Sequence, residues 1–194
     1  MPILDFLPLA RVQIRGVADV QESQIQDGKA GNITTLDLMK KLAVEKSRDP
    51  RVRHVALAVL QQAGVGSQNY VKEALAIGRY VQQYCRYVQD ARTVEQVHDP
   101  VMLLSQIAEG RCAADCDDQA TLIAALLLSI GHDPAFRAVR WTSKYGPYNH
   151  VYVVDYTNNW GQPKQRVVLD AILKRSPIGT EYPHQSGDEY PVYG

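Results

Sequence analysis

No apolar run in the chain approaches the roughly 20 residues that a membrane-spanning helix needs. The longest, Thr121 to Ile130, reads as a buried helix instead. There is no excess of charge of either sign. Twenty-one Lys and Arg balance 21 Asp and Glu, so no global field draws the chain toward nucleic acid or an anionic membrane. The basic start of a signal peptide is missing too: Met1 to Leu9 holds Pro2, Asp5 and Pro8 and no Lys or Arg, so the expected compartment is the cytoplasm. Cysteine is scarce. Three cysteines cannot all pair with one another, which argues against a disulfide framework and for at least one thiol with another use. Internal repeats and low-complexity segments are also lacking.

What is present fits one globular domain. The 194 residues are 45% hydrophobic and 22% charged, enough to bury a single core without staples. The pattern is helical first and stranded later, which predicts an α+β fold with N-terminal helices packed on a small antiparallel β-sheet. Residues 1–33 read as an N-terminal arm broken by Gly16, Gly28 and Gly31, with a short strand expected over Arg11–Val17. The main domain is expected over 34–175. Its helices are expected over Thr35–Lys46, after Asp49-Pro50, along a stripe from Val71 through Cys85 to Val88, after Asp99-Pro100, and from Cys116 to Ile130 with Gly131 as the left-handed cap. Strands are expected over Ala135–Trp141, His150–Tyr156 and Gln165–Leu169, separated by turn residues at Tyr145-Gly146-Pro147 and Asn158–Gly161. The stretch 176–194, rich in Pro, Gly and Tyr, reads as an ordered or loose surface tail outside the main domain.

The chemistry concentrates around Asp115-Cys116-Asp117-Asp118. Asp115, three residues before Asp118 and just ahead of an apolar helix, reads as an N-cap. That places Cys116 in the first helical turn, where free N–H groups and the positive end of the helix dipole favour a thiolate and can receive an oxyanion. A thiol nucleophile needs a base, and the base needs an acceptor that orients it. His150 opens one expected strand and Asp170 ends the next, so adjacent antiparallel strands would bring them side by side. Cys112 lacks both an acidic cap and a helix starting at it, which selects Cys116 as the nucleophile. Against this stand three nearby carboxylates, which raise the thiol's pKa unless the imidazole is in contact.

These segments resemble a known family. Asp115-Cys116-Asp117-Asp118 with Ala120, Leu122 and Gly131 is similar to the cysteine motif of transglutaminase-like proteins of the papain-like superfamily. Asn149-His150-Val151-Tyr152 resembles their histidine motif and Leu169-Asp170 their aspartate motif. Ala114 stands where the family usually has glycine. Asp49-Pro50-Arg51-Val52-Arg53 and Tyr84-Cys85-Arg86-Tyr87-Val88-Gln89-Asp90 resemble versions encoded by Mu-like tailed bacteriophages. The resemblance, over about residues 35–175, implies a Cys116–His150–Asp170 triad, cleavage or transfer at an amide bond of a peptide or protein substrate, and no metal or organic cofactor. Its phage side implies a second reading: a virion structural or assembly protein that keeps the fold without turnover, with other phage structural proteins as partners. The arm and the tail suit that role.

Other residues carry plainer expectations. Cys85, on a helical stripe, reads as a small core hydrophobe. His54, His98, His132 and His184 read as surface or satisfied histidines, and Asp117 as solvated or as a charge near the cleft. Tyr87 and Gln96 are candidate oxyanion donors, and Trp141 and Tyr148 candidate cleft walls. A zinc site from Cys112, Cys116, His150 and Asp170 can be drawn, but the Cys-x-x-x-Cys spacing suits zinc poorly.

Overall fold

A computed structural model describes residues 10–13, 29–89, 97–142, 144–157 and 163–193, with the side chains of 29–31 left aside. Among the described residues five helices precede the main sheet: α1 (Lys29–Lys46), α2 (Pro50–Gln62), α3 (Tyr70–Tyr84), α4 (Pro100–Glu109) and α5 (Cys116–Ser129). The two-residue strands β1 (Arg86–Tyr87) and β2 (Ala113–Ala114) pair in parallel between them. The strands β3 (Pro134–Arg140), β4 (His150–Thr157), β5 (Gln165–Leu169) and β6 (Ser186–Pro191) form an antiparallel sheet in the order β5-β4-β3-β6. The chain is therefore an α+β protein, as its pattern predicts.

Helix starts follow the local chemistry. Asp49 accepts from the Arg51 N–H at 2.8 Å and Asp99 from the Val101 N–H at 2.7 Å, each with proline in the first turn. Gly110 ends α4 in the left-handed conformation, with φ of 77°. Helix α5 is buried around almost its whole circumference, and so forms the centre of the domain. Leu122, Ile123, Leu126 and Leu127 are fully buried, each contributing about 1.5–3 kcal/mol. The other helices surround it, and Val151, Val153, Val167 and Leu169 of the sheet close the core from the other side. Gly78 lets α3 approach β5: a Cβ there would lie 3.0 Å from Leu169 Cδ2 and 3.1 Å from Ile178 Cγ2.

Four expectations are corrected. Helix α1 begins at Lys29, inside the expected arm. Helix α3 stops at Tyr84, and Val88 is exposed beyond β1, because the chain turns to pair with β2. Residues 10–13 form no strand and dock on the domain: Val12 is buried, and the Ala10 N–H donates to Gln62 Oε1 at 2.8 Å. The rest of the expected strand, 14–17, lies outside the described residues, as does the turn at 158–161. The tail is ordered and belongs to the domain. It supplies β6, which pairs with β3 along its length, and it buries Val192. Its polar sequence suits an edge strand, so the alternation that would mark a half-buried strand is missing.

Candidate active site

The approach to Cys116 is fixed before the helix begins. The Arg86 N–H donates to the Cys112 carbonyl at 3.1 Å and the Val88 N–H to the Ala114 carbonyl at 3.2 Å. Gln119 Nε2 adds a bond to the Ala114 carbonyl at 3.0 Å. Asp115 then caps α5, accepting from the Asp118 N–H at 3.3 Å, as the sequence predicts. Cys116 follows as the first helical residue and is half-buried. It packs against the core cluster to which Val151 and Val153 of β4 contribute, so Cys116 approaches the sheet from its core side. The ladder between β4 and β5 begins at Val153.

The start of β4 carries the histidine. Register pairs Val153 with Leu169, so the next residues, Tyr152 and Asp170, come opposite each other and His150 lies diagonally across. Diagonal neighbours on one face are within reach of long side chains. His150 Nε2 accordingly lies 2.8 Å from Asp170 Oδ2, with both side chains buried. Asp170 is steadied in turn by the Ile172 N–H, which donates to Oδ1 at 3.3 Å. The His150 ring shares its sheet face with Tyr152, turned away from the core face of Val151 and Val153. It packs on Trp141 at 4.4 Å between centroids and beside Tyr152 at 5.6 Å. The structure thus brings His150 to Asp170 but not to Cys116: the ring lies on the outer face of β4, Cys116 packs against the core side, and among the described residues no hydrogen bond joins the thiol to the imidazole. Among the described residues nothing hydrogen-bonds Nδ1 of His150.

Burial dominates the electrostatics. It pushes the Cys116 thiol well above its ordinary value, and the charges of Asp117 and Asp115 push the same way; backbone N–H groups oppose them. Asp117 is not solvated, which excludes one of its two expected readings. It is buried, and burial together with a hydrogen bond to Asp115 pushes its carboxyl well above the usual range. Asp118 is fully buried and held by His98, whose N–H and Nδ1 each lie 2.6 Å from a carboxylate oxygen. His98 is the site neighbour that sequence reasoning missed: 20 residues separate it from Asp118, and no local pattern marks the pairing.

The remaining candidates disperse. Cys112 is buried against Cys85, their sulfurs 2.8 Å apart, and so lies on the core side of β2. Tyr87 is exposed on β1, and Gln96 lies outside the described residues. His132 is buried between Asp155 and Glu73, a satisfied histidine as expected. Oxygens of Asp115, Asp117 and Asp118 come within 4.8 Å of one another, the described set nearest to a metal-ligand group. The helix N–H groups, His98 and the Asp115–Asp117 bond already use them.

The fold and site together define an α+β domain in which a half-buried cysteine begins the central helix and a strand of the sheet carries a buried His–Asp pair. No protein-family model and no curated protein matches the chain. Among solved structures, the chain is similar to "a Putative Cysteine Protease from Cytophaga hutchinsonii", with 15% identity and a TM-score of 0.40. The match covers 73% of this chain and 42% of that one, so the chain spans less than half the length of that protein.

Proposed function

We propose that the chain is a cysteine-dependent amide hydrolase or acyl transferase of transglutaminase-like type, with Cys116, His150 and Asp170 as its catalytic residues. The observation that carries this reading is the buried 2.8 Å His150–Asp170 pair on a strand whose other face packs in the core that Cys116, first residue of α5, also joins. Asp170 on Nε2 fixes the tautomer and leaves Nδ1 to take the proton. Because burial raises the thiol's pKa, His150 removes the proton as sulfur attacks the carbonyl carbon, rather than in a preformed ion pair, a step that requires the ring to turn from the outer face toward the thiol. The oxyanion is received at the start of α5, where the Cys116 N–H is free of intrahelical bonds. Collapse of the tetrahedral intermediate expels the amine, protonated by the imidazolium, and leaves a thioester. Water, activated by the same histidine, or a second amine then releases the acyl group. Trp141 shields the His–Asp bond from solvent. The substrate class is a peptide or protein amide.

The test is turnover of a peptide-amide library by the wild type and by Cys116→Ala. The variant is expected to fold normally and to lose all turnover. A variant that retains hydrolysis refutes the assignment.

The raised thiol pKa favours a second reading, a particle component that keeps the fold without turnover. Its phage origin rests on the sequence resemblance alone. In that reading Cys116→Ala leaves assembly unchanged. Deleting 177–194 is a poor probe of it, because the deletion removes β6 from the domain's own sheet.

A further inference from the structure

Two thiols lie outside the proposed mechanism and touch each other. Cys85 closes α3, Cys112 precedes β2, both are buried, and their sulfurs stand 2.8 Å apart, closer than two non-bonded sulfurs rest. The backbone explains the approach. Each precedes a residue of the parallel pair Arg86↔Ala113, and the Arg86 N–H donates to the Cys112 carbonyl at 3.1 Å. Neighbouring strands run about 4.8 Å apart, inside the roughly 4.4–6.8 Å Cα separation that a disulfide requires. The odd cysteine count then resolves into one pair and one single thiol.

We propose that Cys85 and Cys112 are a disulfide-forming pair, oxidised by a low-molecular-weight disulfide. Cys112, the less deeply buried of the two, attacks one sulfur of that oxidant as a thiolate, forming a mixed disulfide and releasing one small thiol. Cys85 gives up its proton as it attacks the Cys112 sulfur, closing the protein disulfide and releasing the second small thiol. Two S–H bonds are lost from the protein, two small-molecule thiols are formed, and two electrons pass to the oxidant. The bond spans 27 positions, closes a loop containing α4, and ties the end of α3 to the segment that leads into Cys116. It also leaves Cys116 as the single reduced thiol. None of this depends on whether Cys116 turns over a substrate.

The full chain, reduced and unfolded, is refolded in an oxidising glutathione buffer, alkylated, digested without reduction and mapped by mass spectrometry. Unfolding removes burial as a barrier to oxidation. The expected map shows Cys85 joined to Cys112 and Cys116 alkylated. The linked chain should melt roughly 5–10 °C above the reduced one, as a loop of this length implies. Cys112→Ala should show no such difference; if that variant does not fold, the wild-type map and melting curves still decide. A link that includes Cys116, three alkylated thiols after oxidative refolding, or a linked chain that melts no higher than the reduced one overturns the proposal.

Discussion

Asp170 Oδ2 meets His150 Nε2, not Nδ1, at 2.8 Å, with both side chains buried and the Trp141 ring packed on the imidazole. The choice of nitrogen has a chemical consequence. A carboxylate on Nε2 holds a proton there, so Nδ1 is the basic nitrogen. Replacing Asp170 with Asn keeps the shape and removes the charge that holds this tautomer. If Cys116 turns over amides, Asp170→Asn should lower kcat by about 10³–10⁴ with little change in KM, measured by steady-state hydrolysis. An unchanged kcat would detach Asp170 from the mechanism.

Iodoacetamide labelling of the native, reduced protein should modify Cys116 first, since Cys85 and Cys112 are buried and Cys116 is only half so. Its rate should keep climbing with pH beyond 9, because burial and the neighbouring aspartates hold the thiol above that value. A rate that levels off below pH 8 would mean that a thiolate–imidazolium pair already exists at rest.

His132 joins the end of α5 to the sheet and to α3. Its Nδ1 lies 2.7 Å from Asp155 and its Nε2 3.1 Å from Glu73, and its ring is wholly buried. Burial depresses its pKa, but the hydrogen bonds and charges of Asp155 and Glu73 outweigh that and raise it above 6.5. The folded value exceeds the unfolded one, so this stabilisation is complete below about pH 6.5 and fades as pH rises through the folded value. Removing the cation strands two buried carboxylates. His132→Gln should therefore cost about 3–5 kcal/mol, read from urea unfolding at pH 6. A loss below about 1 kcal/mol would refute the ion-pair account.

The C-terminal stretch is fastened by Arg166. Its guanidinium donates to both carboxylate oxygens of Glu181, at 2.8 and 2.9 Å, and at 3.1 Å to Glu189 on β6. Arg166 holds the Glu181 carboxyl down at about 2, against an ordinary 4.5. A depressed folded value contributes stability above pH 4.5 that is lost as pH falls toward 2. The pair is partly exposed, so solvent screening limits its contribution to about 1 kcal/mol. Hydrogen exchange over 181–191 should accelerate across that window in the wild type, and Glu181→Gln should show the faster exchange at neutral pH. Unchanged exchange in the variant would mean that the β3–β6 ladder alone holds the strand.

Sequence by itself determined what depends on near neighbours. Asp49, Asp99 and Asp115 cap helices because a short carboxylate reaches N–H groups two or three residues ahead, and that chemistry is written in the order of residues. Apolar spacing located all five helices and three of the four strands of the main sheet for the same reason. The tertiary structure decided what depends on approach in space. β6 exists because β3 offers it an edge, not because its polar residues favour a strand. Of the two readings open for Asp117, solvated or a charge near the cleft, the first is excluded because packing, not spacing, sets its solvation. His98 and Asp118, Cys85 and Cys112, and His132 with its two carboxylates are partners that only folding introduces. The meeting of His150 with Asp170 belongs to both. Their places at strand ends are legible in the sequence, but the register that sets them diagonally on one face is fixed by the whole sheet, and a one-residue slip would part them.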